Sequence, residues 1–210
     1  MLIFPEATKV NRRIPKESFY KHLQMNSTLK DHFISDVDRI NVENSLTNDS
    51  LNLSANSEIK EILVLSILLK RKEYDDKIIE AIARQNPHKL LFSITCDGEQ
   101  QLAIYKRKLY RTNWDNAEKT TLEVRGFSLD EIWDCIAEQI ALSEERIQTI
   151  HAMSLEERLA LQEQIMKIEK NIAKIEAAAW KEQQPKKRFE LYTRLKQYKD
   201  QLEELKHGQN

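Results

Sequence analysis

The sequence predicts an α+β domain over residues 1–142, with a small mixed or antiparallel sheet and flanking helices. A helical linker and a C-terminal antiparallel coiled-coil hairpin follow over residues 143–210. Three observations support this prediction. Residues 62–69 form an apolar run broken by one serine, Asp97-Gly98 separates two strand-like segments, and the last third of the chain holds two mirrored apolar series. The order helices, strand, helix, strands and helix is typical of an α+β domain.

The N-terminal part of the chain predicts two helices, over residues 15–24 and 27–40, and then a loop over residues 41–57. Apolar residues in the second helix recur four and three positions apart, so they share one face: Leu29, Phe33, Val37 and Ile40. The following segment is rich in asparagine, which favours turns. We expect a loop there, with a short strand near Leu51 and Leu53.

The centre of the domain predicts a buried strand and a helix. Residues 62–69, ILVLSILL, are rich in isoleucine, leucine and valine and lack a helical gap pattern, which favours a strand covered on both faces. Residues 74–86 then predict a helix with its isoleucines turned inward. Pro87 ends this helix, because the residue before a proline avoids the helical region.

A β-hairpin signal follows at Asp97-Gly98. This pair accepts the positive φ angles of a two-residue turn whose twist matches that of the flanking strands. The segments HKLLFSITC and EQQLAIYKRK on either side therefore predict paired strands, and KLYRTNW predicts a third.

The domain ends with a helix that has a clear start signal. Ser128 and Glu131 have the spacing of a capping box, and Phe127 can form a hydrophobic staple with Ile132. Apolar residues then recur at helical spacing and form the face predicted to be buried: Leu129, Trp133, Ile136 and Ile140.

The C-terminal third predicts two helices that fold back on each other. A second capping box, from Ser154 to Glu157, opens the first helix, and QQPKK interrupts the pattern at Pro185. The apolar positions on the two sides mirror each other about the interruption, pairing Ala179 with Leu191, Ile175 with Leu195, Ile172 with Tyr198, Ile168 with Leu202 and Ile165 with Leu205. A single straight helix that oligomerises is the alternative, but an interior proline costs roughly 3 kcal/mol.

Four segments give the chain a family resemblance: IPKESFYKH, EILVLSILLK, LYRTNW and KIEKNIAKIE with LKQYKDQLEEL. In these segments the sequence resembles the bacterial family catalogued as domain of unknown function 4391. The resemblance implies a bacterial protein whose relatives are often encoded near helicases and methyltransferases of restriction or phage-defence systems. It implies no established activity and no established site residue.

Composition excludes several classes of protein. Three isolated glycines cannot form a P-loop or a dinucleotide-binding fingerprint, and Cys96 and Cys135 cannot form a CxxC motif. The net charge of −1 gives no long-range attraction to nucleic acid or membrane. The sequence shows no signal peptide and no apolar run of membrane-spanning length, so we expect a cytoplasmic protein without a cofactor.

Candidate catalytic groups do not converge in the sequence. A restriction-type nuclease needs an acid two residues before its strand lysine, but Leu68 holds that position relative to Lys70, and a hydrocarbon cannot bind a metal ion. His88 and Cys96 lie at opposite ends of one predicted strand and cannot form a dyad. We therefore predict no catalytic residue and no metal site, and the sequence favours a protein that is not an enzyme.

Two basic segments are candidate nucleic-acid-binding sites. On one continuous strand, the stretch YKRKLYR would place Tyr105, Arg107 and Arg111 on a shared face, suited to phosphate contact and base stacking. A charged edge strand that resists aggregation is the alternative. Around the interruption, Lys186, Lys187 and Arg188, with Lys181, form a basic cluster that could meet an anionic partner or simply be solvated.

The function expected from these features is that of a non-catalytic accessory or scaffold protein. It would dock through the hairpin or a sheet edge on a protein partner, plausibly part of a DNA-processing system. Direct nucleic-acid binding and a divergent metal-dependent nuclease are the alternatives. Leu159, Leu161 and Trp180 lie outside the predicted seam, so they could support a homodimer or pack on the domain.

Overall fold

The computed structural model describes residues 2–53, 57–142 and 153–207. The chain divides into two compact units, Met1–Ser143 and Glu144–Asn210. The first unit contains a sheet with helices, and the second contains two long helices. The α+β class and the C-terminal hairpin predicted from the sequence are both confirmed.

The first unit contains five helices and seven strands within its described residues, after a short 3-10 turn at Glu6–Thr8. The helices are α1 Lys16–His22, α2 Ser27–Asp36, α3 Asn48–Leu51, α4 Asp76–Arg84 and α5 Leu129–Ala141. The strands are β1 Lys9–Ile14, β2 Val37–Leu46, β3 Ile62–Leu69, β4 Lys89–Cys96, β5 Glu99–Lys106, β6 Lys108–Arg111 and β7 Asp115–Asn116.

The strands form one mixed sheet in the order β1-β2-β3-β4-β5-β6, with β7 paired to β5. β3 and β4 are parallel, and α4 forms the crossover between them. The remaining pairs are antiparallel. The long apolar run is thus a central strand, as predicted, and it pairs on both sides.

The sequence interpretation was wrong between residues 37 and 57. The second helix ends at Asp36, and the next ten residues form β2 instead of a last helical turn and a loop. α3 lies where a short strand was expected near Leu51. β1 was also missed. Pairing with β1 and β3 stabilises β2 although its sequence, VDRINVENSL, is largely polar, so tertiary context outweighs local composition.

A β-bulge in β2 changes which of its side chains lie on each face of the sheet. Val42 pairs with Leu65 and Asn44 pairs with Val64, so Glu43 is the extra residue. Register partners share a face, and successive residues alternate between faces. The even-numbered residues Ile40 and Val42 therefore lie on one face, and the even-numbered residues after the bulge, Asn44 and Leu46, lie on the other. We call the face of Val42 the first face and the face of Asn44 the second face.

The first face of the sheet carries the main hydrophobic core. α2 and α4 supply Phe33, Ile78, Ile79 and Ile82, each at most 2% exposed. They cluster with strand residues of the first face: Ile40, Val42, Leu65, Ile67, Phe92 and Ile94. Fully burying each such side chain stabilises the fold by about 1.5–3 kcal/mol.

The predicted β-hairpin and the start of α5 are largely confirmed. Asp97 and Gly98 have φ angles of 50° and 81°, as their two-residue turn requires. Ser128 caps α5 by accepting a hydrogen bond from the Glu131 amide at 3.2 Å. The staple is wrong, because Phe127 is 86% exposed. The chain turns at Gly126, whose φ is 148°, and the Phe127 amide donates instead to the Glu131 carboxylate.

The second unit is an antiparallel pair of helices, α6 Leu155–Lys181 and α7 Pro185–His207. The capping box from Ser154 to Glu157 is present. Ion pairs join Glu169 to Lys206 and Glu176 to Lys199. Between these two pairs the residue number rises by seven in α6 and falls by seven in α7. The two helices therefore run in opposite directions, as a hairpin requires.

The seam of the hairpin uses the predicted apolar positions. Ile165, Ala179 and Leu195 are buried, and the other predicted positions are half-buried: Ile168, Ile172, Ile175, Leu191, Tyr198, Leu202 and Leu205. The mirrored pairing would place Glu176 opposite residue 194, whereas its ion pair is with Lys199. Ionic contacts thus lie more than one turn further along α7 than that pairing implies. The connection 182–184 accounts for this, since Glu182 continues in an extended conformation.

A buried carboxylate ties the end of α2 to the end of β3. Asp36 is 2% exposed, and it accepts hydrogen bonds from the Ser35 hydroxyl at 2.6 Å and from Arg71 Nε at 2.9 Å. The Asp36 carbonyl also accepts the Lys70 amide at 2.8 Å. These contacts fix the point where helix changes to strand.

Replacing Arg71 should therefore destabilise the first unit. We expect Arg71→Ala to lower the free energy of unfolding by about 1–2 kcal/mol, because a buried charged acceptor loses its partner while water replaces part of the exposed contact. Urea denaturation measures this change. Arg125→Ala, which removes the exposed pair with Glu123, is the matched control and should leave the midpoint unchanged. Equal losses in the two variants would contradict a specific role for the Asp36 contact.

Candidate functional site

The lysine that follows β3 is engaged by the backbone of α2. Lys70 Nζ donates to the Ile34 carbonyl at 2.9 Å, and Lys16 Nζ donates to the Val37 carbonyl. Burial and the neighbouring Lys70 charge lower the pKa of Lys16. Both ammonium groups thus lie at the carbonyl end of a helix, where positive charge is stabilising. Leu68 lies where a restriction-type nuclease would have its second acid.

Cysteine and histidine side chains are separated in the described part of the chain. Both cysteines are free thiols, and burial raises the pKa of the Cys96 thiol. His32 contacts Asp75 at 3.0 Å, and His88 contacts Glu61 at 3.2 Å. Among residues 2–53, 57–142 and 153–207, no group of three or more His, Cys, Asp or Glu side chains could hold a metal ion.

The basic stretch YKRKLYR is not one continuous strand, and this expectation was wrong. Arg107 has a φ of 64° and separates β5 from β6, so Tyr105 pairs with Leu109 across a tight hairpin. The Tyr105 hydroxyl accepts a hydrogen bond from Arg84 Nε at 2.6 Å. Arg111 forms an ion pair with Asp76. Two of the three predicted nucleic-acid contacts on the sheet are therefore engaged by α4.

The basic cluster near Pro185 has different surroundings. Lys181, Lys186, Lys187 and Arg188 are all exposed. No ion pair joins any of these four cations to another residue in the described ranges. Three of them occupy the first turn of α7, which contains no acidic residue. The positive end of the helix dipole makes that position unfavourable for cations by about 0.3–1 kcal/mol each at low salt.

Exposed aromatic side chains flank the same cluster. Trp180 is 85% exposed, Phe189 is 73% exposed and Tyr192 is 49% exposed. We call residues 180–192, with these aromatics and cations, the hairpin tip. Its opposing acids are Glu182 and Glu190.

The local sequence explains why the hairpin tip is open. α6 ends at Lys181, the connection 182–184 follows, and Pro185 begins α7 at a position where its missing amide is no loss. The Gln184 amide donates to the Glu182 carboxylate at 2.9 Å and holds the connection. The first turns of α7 are not covered by α6, and residues 185–190 are all exposed.

The sequence interpretation identified the cations of the hairpin tip but not its aromatics. It assigned Trp180 only to a dimer or domain contact, together with Leu159 and Leu161. In the structure Leu159 and Leu161 are buried and Trp180 is exposed. The sequence feature that could have identified these aromatics is the close spacing of Trp180, Phe189 and Tyr192 around a basic segment that contains a proline.

None of the helices in the described ranges combines the length and apolar content needed to cross a membrane. The expectation that no membrane-spanning helix is present is therefore confirmed for those residues.

Comparison with known proteins identifies a family for this chain. No curated protein and no solved structure matches it. One family does match, over residues 2–202, a range that includes the sheet, α5 and most of the hairpin. It also contains IPKESFYKH, EILVLSILLK and LYRTNW, three of the segments on which the resemblance rested. The chain therefore belongs to the family described as Domain of unknown function (DUF4391).

Proposed function

We propose that this protein is a non-catalytic accessory protein whose hairpin tip docks on an acidic surface of a larger protein partner. The observation that supports the proposal is the joint exposure, at the hairpin tip, of three aromatic side chains and of four cations that form no ion pair with the described residues. The family resemblance suggests the partner: a helicase or methyltransferase of a bacterial restriction or phage-defence system.

The chemistry of the hairpin tip matches that of protein interfaces. Trp, Tyr, Phe and Arg are enriched at interface centres, and few residues supply most of the binding energy. A large aromatic side chain buries about 150–250 Å² when it is covered. Exposed lysines surrounding the aromatics would favour a partner of opposite charge and accelerate its association.

The second unit is long and narrow enough to present the hairpin tip to a partner. α6 contains 27 residues, which corresponds to a length of about 40 Å at 1.5 Å per residue. Ion pairs and the apolar seam hold α7 against it, so the hairpin tip lies at the end of a stiff support. A stiff support lowers the entropy lost on binding.

Substitution of the tip aromatics tests the proposal. We expect the double variant Trp180→Ser with Phe189→Ser to reduce co-purification of the neighbouring gene products by about tenfold or more, because interface hot spots carry at least about 2 kcal/mol each. The measurement is quantitative affinity purification of the full-length chain expressed with its gene neighbours.

Met166→Ser is the matched control, because Met166 is 56% exposed on α6 outside the hairpin tip. It should leave recovery unchanged. Undiminished recovery with the tip variant, or an equal loss with the control, would contradict docking through the hairpin tip.

Direct binding of single-stranded nucleic acid is a second candidate function, supported by the aromatics that flank the cations at the hairpin tip. Bases stack on aromatic rings with about 1–3 kcal/mol each, and cations contact the phosphates. The arrangement at Tyr105, Arg107 and Arg111 supports this candidate less, because two of those side chains already contact α4.

The salt dependence of binding distinguishes this second candidate. If the hairpin tip contacts phosphates, reversing Lys186, Lys187 and Arg188 to Glu should weaken binding of a labelled single-stranded oligonucleotide. It should also reduce the slope of log K against log salt by about 2, at roughly 0.7 per phosphate contact. Fluorescence anisotropy at several salt concentrations measures both.

The control reverses Lys167, Lys170 and Lys174, three exposed lysines on α6 outside the hairpin tip. It changes the net charge by the same amount but should leave the slope close to that of the wild type. Absence of binding at low salt, or identical slopes for the two triple variants, would exclude the hairpin tip as a nucleic-acid site.

A further inference from the structure

The second face of the sheet contains a cleft that is separate from the hairpin tip. α5 contacts β5 and β6 on this face. A cleft of about 650 Å³ lies over β2, β3, β4 and the start of β5. Residues 2–6 and 117–118 form part of its wall. Thr8 anchors the N-terminal wall, since its hydroxyl accepts a hydrogen bond from the buried Asn44 side chain at 2.8 Å.

A row of polar side chains crosses four neighbouring strands at the floor of the cleft. Ser66 donates to Glu43 at 2.7 Å. Ser66 is the register partner of Ser93 on β4, and Gln100 on β5 donates to Ser93 at 2.5 Å. The bulge in β2 supplies the first member of this row, Glu43. Such a row reduces the apolar area that the sheet can bury, so packing alone gives no reason for it.

The polar row leaves hydrogen-bonding capacity unused. Gln100 is 5% exposed, and its carbonyl oxygen is buried without a hydrogen-bond partner among the described residues. A buried acceptor without a hydrogen bond lowers the stability of the folded protein, and a ligand donor that reached it would recover the lost free energy. Glu43 accepts two hydrogen bonds, from Ser66 and from Asn41, and both go to the same carboxylate oxygen. Its second oxygen is available to a ligand.

Charge determines which ligand would suit these acceptors. No ion pair joins Glu43 to another residue in the described ranges, whereas Lys9 at the edge of the cleft already pairs with Glu6. Glu118 adds a further acid to the lining. An anion would therefore be repelled, and a ligand with N–H donors and positive charge would be attracted.

The walls of the cleft favour a ligand that also has an apolar part. Leu2, Ile3, Phe4 and Val64 line it together with the polar row. A volume of this size lies within the range of about 300–1,000 Å³ seen for small-molecule sites, which combine apolar walls with a few polar groups. We propose that the cleft binds a small organic cation, an amidine, guanidine or amine with an apolar body, whose charged group donates to Glu43. Gln100 lies further along the same row, on β5, and offers a second acceptor to a longer ligand.

Binding of benzamidine to the full-length chain tests this proposal. Its amidinium can donate an N–H group to the second oxygen of Glu43, and its ring fits apolar walls. In ¹H–¹⁵N NMR titrations we expect shifts centred on Ser66, Ser93 and Gln100. Benzamide, which has a similar shape without the charge, and benzoate, which has the opposite charge, should each bind at least about tenfold more weakly. This comparison needs no variant.

Glu43→Gln keeps the size of the side chain and an oxygen that can accept from Ser66. It should raise the Kd for benzamidine by about tenfold or more while leaving thermal unfolding close to that of the wild type. Asp31→Asn removes an exposed carboxylate of α2 and should leave the Kd unchanged. Equal affinity for benzamide and benzamidine, an unchanged Kd in Glu43→Gln, or no shifts in the cleft at about 10 mM benzamidine would overturn the proposal.

Discussion

Strand β3 pairs with antiparallel β2 on one side and with parallel β4 on the other, and this two-sided pairing is the constraint on which the first unit depends. Side chains on both faces of β3 are buried, with Leu65 and Ile67 on the first face and Ile62 and Val64 on the second, which explains the run ILVLSILL. The parallel partner requires a crossover, which α4 supplies, and α4 with α2 then covers the first face. The cations that come directly after β3 have a structural role as well, since Lys70 and Arg71 bind the end of α2.

The two proposed binding surfaces arise where this packing is incomplete. The bulge at Glu43 brings a carboxylate to the second face, in line with Ser66, Ser93 and Gln100. In the second unit the seam covers one side of each helix, but the extended connection leaves the hairpin tip uncovered. Both surfaces present side chains suited to recognition by charge and hydrogen bonding.

The sequence predicted best the elements whose signals are local. The apolar run, Asp97-Gly98 and the Ser128 cap each act within a few residues, and all three are present. β2 could not be predicted in this way, because its polar sequence is stabilised by strands distant in the chain. The polar row of the cleft depends on a bulge and on the register of four strands, neither of which is encoded in any one segment. The exposure of Trp180 likewise could not be inferred, because a residue outside the predicted seam could support a dimer, pack on the domain or face solvent.

Native-state amide hydrogen exchange tests most directly the claim that β3 and its two partners form the structural centre of the first unit. Amides of residues 62–69 and 89–96 should exchange slowest in this unit and open together, with a free energy close to that of global unfolding. Exchange of residues 62–69 as fast as that of residues 108–111, in β6 at the edge of the sheet, would contradict it.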